Sequence, residues 1–240
     1  MSTGNSNPST IPPILIGVIV VLLTSALQNL RQHINTKATK NWQDREIFES
    51  NDNIIIDEFV QDEEMLKYLN NPSIWNECRD NSETSVGTRW WDGKSKPQNI
   101  WEVLAGKIWS SRSEADGASG FEYWCNILEK DTPLAWHVDR DEQLHNNEDL
   151  LRYPTMGAVF YGYPHTFEGG YLETLNADVH KVDPHELPEN SPVPRVAAKY
   201  NRLVILNVTK WHRVSPVQSG QRYTLAVNVW HGEKPKGLEQ

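Results

Sequence analysis

The sequence predicts a mainly β domain, built as a sandwich or a barrel, which follows a short helical region and a hydrophobic N-terminal segment. From residue 120 onwards, short runs rich in Val, Ile, Tyr, Trp and Thr are separated by Gly, Pro, Asn and Asp, the pattern of strands joined by turns. Upstream of these runs, two segments place apolar residues at helical spacing. The 240 residues suffice for one substantial domain.

Each element follows from its own local pattern. Residues 54–56 are three isoleucines in a row and predict a short buried strand. Residues 62–70 and 98–110 repeat apolar side chains every three or four positions and predict helices, whereas residues 81–97 carry the Ser, Gly and charged residues of a loop. Further strands are predicted at residues 121–128, 134–139, 156–163, 170–175, 202–207, 211–214 and 222–230.

The N-terminus differs from the rest of the chain. No charged side chain precedes Arg31, and residues 11–27 are largely apolar, a length at the lower limit for a membrane-spanning helix. We therefore predict a single-pass membrane anchor at residues 11–28. A cleaved signal peptide ending near Thr24-Ser25-Ala26 and a buried core helix are the alternatives. The predicted division is a polar tail at 1–10, the anchor at 11–28, a linker at 29–50 and the folded domain at 51–240.

The basic residues Arg31, Lys37 and Lys40 follow the predicted anchor. Because positive charge tends to stay on the cytosolic side of a membrane, they favour a cytosolic domain, with the lumen of the secretory pathway as the alternative. The formal net charge of −9 argues against a nucleic-acid partner. Cys78 and Cys125 are too few for a disulfide framework or a zinc site. A bridge between them is left open.

His137 and Asp139 are the first candidates for chemistry. In an extended strand they project to the same side, while Trp136 and Val138 face the other. One imidazole and one carboxylate at this spacing can occupy neighbouring positions around a metal ion. A histidine from another strand would complete the two-His, one-carboxylate triad of non-haem Fe(II) oxygenases, which leaves positions open for other ligands.

The C-terminal strands supply that third ligand and an anion site. His212 follows a hydrophobic strand and a turn, and Arg222 opens the next strand, with Thr224 two positions further on the same side. A guanidinium and a hydroxyl placed in this way suit one carboxylate. The co-substrate 2-oxoglutarate has such a distal carboxylate, and its keto acid end can chelate iron.

These segments together resemble the 2-oxoglutarate/Fe(II) dioxygenases, and among them the prolyl-hydroxylase-like branch. The resemblance covers residues 53–230 and depends on the order of several short segments rather than on any one of them. In chain order they are IIIDEFVQDEEMLKYL, WHVD, VFYGY, FEGGYLETL, NRLVILN, WHRVSPV and GQRYTL.

The resemblance implies a double-stranded β-helix, or jelly roll, with flanking N-terminal helices. It implies Fe(II) as the metal, 2-oxoglutarate and O2 as co-substrates, and ascorbate as a further candidate cofactor. The family's ligands fall on His137, Asp139 and His212, and its basic co-substrate anchor falls on Arg222. Tyr161 lies where prolyl hydroxylases often place a tyrosine that contacts the same carboxylate. Asn126 is expected at the inner end of the co-substrate, and Thr224 beside Arg222.

Three functions are compatible with this pattern. The first is hydroxylation of peptidyl proline or another protein side chain, with release of succinate and CO2, and the detailed resemblance favours it. The second is oxygenation of a small metabolite or lipid, which the membrane anchor and the tryptophans near residues 90–109 would suit. The third is a catalytically silent protein that uses the cleft only to bind. The intact triad and Arg222 count against the third.

Overall fold

The structure, a computed structural model, describes residues 47–50, 53–80, 87–164, 166–187 and 193–238. All of them belong to the unit Arg45–Gln240. The strands are β1 Ile47–Ser50, β2 Asn53–Ile56, β3 Arg89–Trp91, β4 Gly120–Leu128, β5 Leu134–His137, β6 Met156–Tyr161, β7 Glu168–Gly169, β8 Leu172–Leu175, β9 Arg195–Val196, β10 Arg202–Leu206, β11 Trp211–Val214, β12 Val217–Ser219 and β13 Arg222–Trp230. The α-helices are α1 Glu63–Leu69, α2 Pro72–Asp80, α3 Ile100–Trp109 and α4 Glu142–Glu148.

The predicted anchor at residues 11–28 lies outside the described residues. Within the described part of the chain, no helix has the length and apolar character needed to cross a membrane.

The strands form a large sheet and a small sheet, and the pairing within each is antiparallel. The large sheet has the order β1-β2-β10-β6-β13-β4-β3 and the small sheet the order β5-β11-β8-β9, with β12 and β7 as a separate pair. Some neighbouring strands, such as β2 and β10 or β4 and β13, are distant in sequence, as in a sandwich whose chain crosses between sheets. The prediction of a mainly β domain is confirmed, and the antiparallel sheets are consistent with a jelly roll.

A shared apolar core joins the two sheets. It combines Ile55 and Val204 of the large sheet with Leu172 and Val196 of the small sheet, and all four side chains are buried. The opposite face of the large sheet packs on the helices, where the buried Trp75 ring of α2 makes edge contacts with the rings of α3 and β13. The face directed at the small sheet is therefore the one that can carry a site.

The predicted helices at 62–70 and 98–110 are confirmed, and side-chain caps explain where they begin. Asp62 accepts hydrogen bonds from the backbone at the start of α1, and Asn99 does the same for α3, satisfying amides that have no partner within a helix. The sequence did not reveal α2, α4 or the short β3. Strand β1 lies within the predicted linker and pairs with β2.

The Cys78–Cys125 pairing, which the sequence left open, is formed. The bridge joins α2 to β4 across 47 positions of sequence, with 5.6 Å between the two Cα atoms. Cys125 faces the helices, next to Asn126 on the opposite face of the same strand. The disulfide therefore fixes the helical layer to a central strand of the large sheet.

Replacing both cysteines, in the variant Cys78→Ser/Cys125→Ser, is expected to lower the free energy of unfolding by about 2–4 kcal/mol. The physical reason is the larger chain entropy of an unfolded state that lacks a cross-link over a loop of this length. Urea unfolding of wild type and variant, each with and without dithiothreitol, measures the effect. Reductant should destabilise the wild type and leave the variant unchanged; equal stabilities without reductant would contradict the bridge.

Candidate functional site

Two adjacent strands of the small sheet bring the predicted metal ligands together. His137 ends β5 and His212 lies directly opposite it on β11, and Asp139 follows two residues after His137. One Asp139 carboxylate oxygen lies 3.5 Å from Nε2 of His137 and 3.5 Å from Nε2 of His212. Ligand atoms about 2.1 Å from a metal and at right angles to each other are about 3 Å apart. The three side chains therefore have the spacing of a tridentate metal site.

Backbone carbonyls set the orientation of both imidazole rings. Nδ1 of His137 lies 2.7 Å from the carbonyl oxygen of Ala135, and Nδ1 of His212 lies 2.9 Å from that of Lys210. When Nδ1 carries the proton and donates to these oxygens, Nε2 is left with its lone pair directed towards Asp139. This is the arrangement that metal-binding histidines require.

The electrostatics keep Asp139 ionised. Burial opposes the charged carboxylate, but the neighbouring His212 and His137, together with donated hydrogen bonds, hold the pKa of Asp139 below its usual value. Burial lowers the pKa of His137, and the proximity of His212 lowers it further. For His212, burial is outweighed by Asp139, so its pKa is raised. An anionic carboxylate beside two imidazoles is a donor set suited to a divalent transition metal.

Asn228 holds the second oxygen of the Asp139 carboxylate. Its side-chain amide on β13 donates a 2.9 Å hydrogen bond to Oδ2, while Oδ1 is the oxygen that approaches the two histidines. Asn228 is buried, and a side chain at Gly157 on the next strand would collide with it. The sequence analysis missed this residue, although it lies on the same face of β13 as Arg222 and Thr224, at even spacing.

The variant Asn228→Leu is expected to weaken Fe(II) binding about 10- to 100-fold, because partners of ligating carboxylates commonly contribute this much to metal affinity. Anaerobic calorimetric titration with Fe(II) measures the change, and the absorption spectrum of bound Co(II) reports altered geometry. Asn76→Leu, a partly exposed position on α2, serves as the control. Unchanged affinity and spectrum in Asn228→Leu would mean that Asp139 keeps its orientation without this bond.

Arg222 lies at the start of β13, on the same face of the sheet as Asn228. Its side chain is buried, with one guanidinium nitrogen 3.0 Å from the hydroxyl of Tyr161 and another 3.4 Å from the hydroxyl of Thr224. Within the described residues no carboxylate pairs with it, and its Nε has no hydrogen-bond partner. A buried cation without an anion is costly. The guanidinium is therefore arranged to receive an anionic ligand.

The Gly169-Gly170 pair makes room for this side chain. Both residues adopt positive φ angles, and a Cβ at Gly170 would lie 2.9 Å from Cδ of Arg222. A Cβ at Gly169 would collide with the backbone of Pro216. Glycine is required here because only glycine adopts this conformation without strain and also leaves the space that Arg222 occupies.

Asn126 lies beside this group. It lies opposite Thr224 in the pairing of β4 with β13, and its backbone carbonyl accepts a hydrogen bond from the Thr224 hydroxyl. Its own side chain is partly exposed on the same face. The predicted residues Arg222, Thr224, Tyr161 and Asn126 thus form one group, separate from the three candidate metal ligands.

Residues 123–230 match the sequence profile of the 2OG-Fe(II) oxygenase superfamily. The match covers a little under half of the chain and includes the three candidate metal ligands and Arg222. The protein is a 2-oxoglutarate-dependent non-haem iron dioxygenase, an oxidoreductase, and the matched family uses Fe(II), 2-oxoglutarate and O2. Sequence comparison finds no matching relative among curated proteins.

Two solved structures are similar to this chain. A prolyl-4-hydroxylase of Pseudomonas putida is 15% identical, with a TM-score of 0.50 over 75% of this chain and 89% of that one. The viral collagen prolyl hydroxylase of Paramecium Bursaria Chlorella virus-1, in complex with 2OG, is 14% identical, with a TM-score of 0.47 over 77% of this chain and 98% of that one. At these identities the similarity with the Pseudomonas enzyme concerns the fold.

Proposed function

We propose that this dioxygenase binds Fe(II) through His137, Asp139 and His212 and binds the distal carboxylate of 2-oxoglutarate through Arg222. The buried, unpaired guanidinium of Arg222 is the observation that carries the second assignment. Thr224 and Tyr161 contact that guanidinium and would add hydrogen bonds to the same carboxylate. The large and small sheets would then be the two halves of a double-stranded β-helix.

When bound, iron with 2-oxoglutarate and O2 supplies the oxidising chemistry, with succinate and CO2 as co-products. The residues of the chain position these groups. The carbonyls of Ala135 and Lys210 fix the two imidazoles, and Asn228 keeps one oxygen of Asp139 available for the metal. A triad that leaves coordination positions open allows a chelating keto acid and O2 to bind the same ion.

We propose an unactivated C–H bond of peptidyl proline or another protein side chain as the site of hydroxylation. The order of motifs in the sequence and the fold shared with the Pseudomonas putida prolyl-4-hydroxylase support this substrate class. Oxygenation of a small metabolite or lipid is the second candidate. A membrane anchor would suit an enzyme that acts on such a substrate. A purely binding role does not require the complete ligand set found at His137, Asp139 and His212.

Two measurements, made one after the other, test this function. Formation of succinate from 2-oxoglutarate, dependent on Fe(II), first tests the dioxygenase site itself. Incubation with proline-rich peptides and, separately, with metabolite extracts then identifies the substrate through a mass increase of one oxygen atom. Modification confined to metabolites would reject the protein hydroxylase, and succinate formation without any need for Fe(II) would reject the proposed site.

We also propose a single-pass N-terminal membrane anchor at residues 11–28. The Cys78–Cys125 bridge favours the luminal alternative for the catalytic domain, because disulfides persist in oxidising compartments and are rare in the cytosol. The basic residues after the anchor favour the opposite orientation only weakly. Glycosylation-site insertion near residue 40 would decide between them, since only a luminal site is modified.

A further inference from the structure

A partly exposed strip extends along β4 on the face that carries Arg222 and Asn228. Glu122, Trp124 and Asn126 alternate along this strand and are each partly exposed, whereas the intervening Tyr123 and Cys125 are buried against the helices. A central strand of a sheet shows this pattern when one face is packed and the other borders a cleft. We call Glu122, Trp124 and Asn126 the cleft strip; Asn126 marks its co-substrate end.

Glu122 lies at the other end of the strip, close to the metal ligands. It is the cross-strand neighbour of Asn228 in the pairing of β4 with β13, and such neighbours have Cβ atoms about 5 Å apart. Asn228 in turn donates to Asp139. The Glu122 carboxyl therefore lies one side chain away from the metal site, on the side opposite the Arg222 group.

The protein leaves part of the Glu122 carboxyl available. Nε1 of Trp230 donates a 2.9 Å hydrogen bond to Oε2, and the nearby Thr88 hydroxyl lowers the pKa of the carboxyl. An ionised carboxylate can accept about four hydrogen bonds. These two donors are neutral, so they orient the carboxyl without compensating its charge.

Aromatic rings border the same position. Trp90 of β3 lies directly opposite Glu122 in the strand pairing, and its ring covers Gly120 on the same face. Trp124 lies two residues along the cleft strip. The ammonium of Lys234 already lies 5.7 Å from the centre of the Trp90 ring, at the distance of a cation–π contact. A carboxyl between indole rings is a combination that recognises cations.

Burial raises the pKa of Glu122 to about 7, while Thr88 and Trp230 act against the increase. A cationic group next to this carboxyl would favour its charged form.

We propose that Glu122, Trp90 and Trp124 form a substrate subsite that binds a positively charged group, an ammonium or guanidinium, of the molecule being oxidised. The inference rests on the proposed dioxygenase function and narrows its substrate to a basic peptide or amine. The charged group pairs with the Glu122 carboxylate and lies against the indole faces. The carbon to be oxidised then lies towards Asp139 and the histidines.

Peptide binding to the full-length chain in detergent, loaded with Zn(II) and 2-oxoglutarate so that no turnover occurs, tests the subsite. The probes are acetylated peptide mixtures with a fixed central Lys, Arg, norleucine or Glu between degenerate positions, and calorimetry measures the affinity. Norleucine matches the lysine stem without its charge. We expect the Lys or Arg mixture to bind about tenfold or more tightly than the norleucine mixture, the size of one charge-assisted hydrogen bond.

The variant Glu122→Gln should lose this preference and retain the affinity for norleucine peptides, because glutamine still accepts the bond from Trp230. Trp124→Leu should reduce the preference in part, and Glu129→Gln, an exposed position just beyond β4, should leave it intact. Equal affinity of wild type for the Lys, Arg and norleucine mixtures, or an unchanged preference in Glu122→Gln, would overturn the subsite. Binding of Zn(II) and of 2-oxoglutarate is measured in separate titrations. If the proposed dioxygenase site is wrong, these titrations will show no binding, whatever the result with the peptides.

Discussion

The variants His212→Ala and Asp139→Ala are each expected to abolish stoichiometric Fe(II) binding and succinate formation while the protein remains folded. Fe(II) lies low in the affinity order of divalent metals, so two remaining ligands cannot hold it against water. Loss of Asp139 also removes the carboxylate that lies 3.5 Å from both imidazoles, leaving two adjacent neutral donors. Anaerobic calorimetry gives the Fe(II) stoichiometry, and circular dichroism checks the fold.

His145→Ala is the matched control. His145 lies on α4, where its ring is 3.8 Å from Asp149, and it is not among the residues brought together at the metal site. Its replacement should leave both Fe(II) binding and turnover at wild-type levels. Near-normal succinate formation by purified His212→Ala or Asp139→Ala would reject the assignment of these residues as ligands.

The regular part of the fold was predictable because local patterns decide it. The strand at residues 211–214 and the one at 222–230 were predicted with the observed limits, since β-rich runs between turn residues suffice to identify strands. Helix α2 was missed because only Ile74, Trp75 and Cys78 are apolar among its nine positions, although these three recur at helical spacing. The disulfide could not be predicted from the sequence either. Pairing depends on the 5.6 Å separation of the two Cα atoms, which only the tertiary structure provides.

The candidate site shows the same division between local and tertiary information. Period-two alternation along a strand suffices to place His137 with Asp139, and Arg222 with Thr224, on common faces. The pair His137 and Asp139 and the pair Arg222 and Thr224 lie on facing layers of one domain. This follows from the order of strands in the sheets, which no local sequence pattern determines. Asn228 and Glu122 were missed because their importance comes from hydrogen-bond partners, Asp139 and Trp230, that are far away in sequence.

Arg222→Gln is expected to raise the Michaelis constant for 2-oxoglutarate by about 30-fold or more. The guanidinium is buried beside Tyr161 and Thr224, so its loss would leave the distal carboxylate without a charged partner in a poorly hydrated place. Truncation of one member of a buried charge pair costs roughly 2–5 kcal/mol, and each 1.4 kcal/mol is about tenfold. Fe(II) affinity should not change, since Arg222 is not a ligand.

Thr224→Val should act in the same direction but less strongly, because it removes one neutral hydrogen bond worth about 1 kcal/mol. Saturation curves for 2-oxoglutarate at excess Fe(II) measure both variants, with Arg140→Gln, which removes a partly exposed ion pair with Glu142, as the control. An unchanged Michaelis constant in Arg222→Gln would place the carboxylate elsewhere. Arg213 is a poor alternative partner for the carboxylate because it is already paired with the buried Glu173. Lys210 would then be the next residue to replace. In that case the buried charge of Arg222 would require another anion to neutralise it.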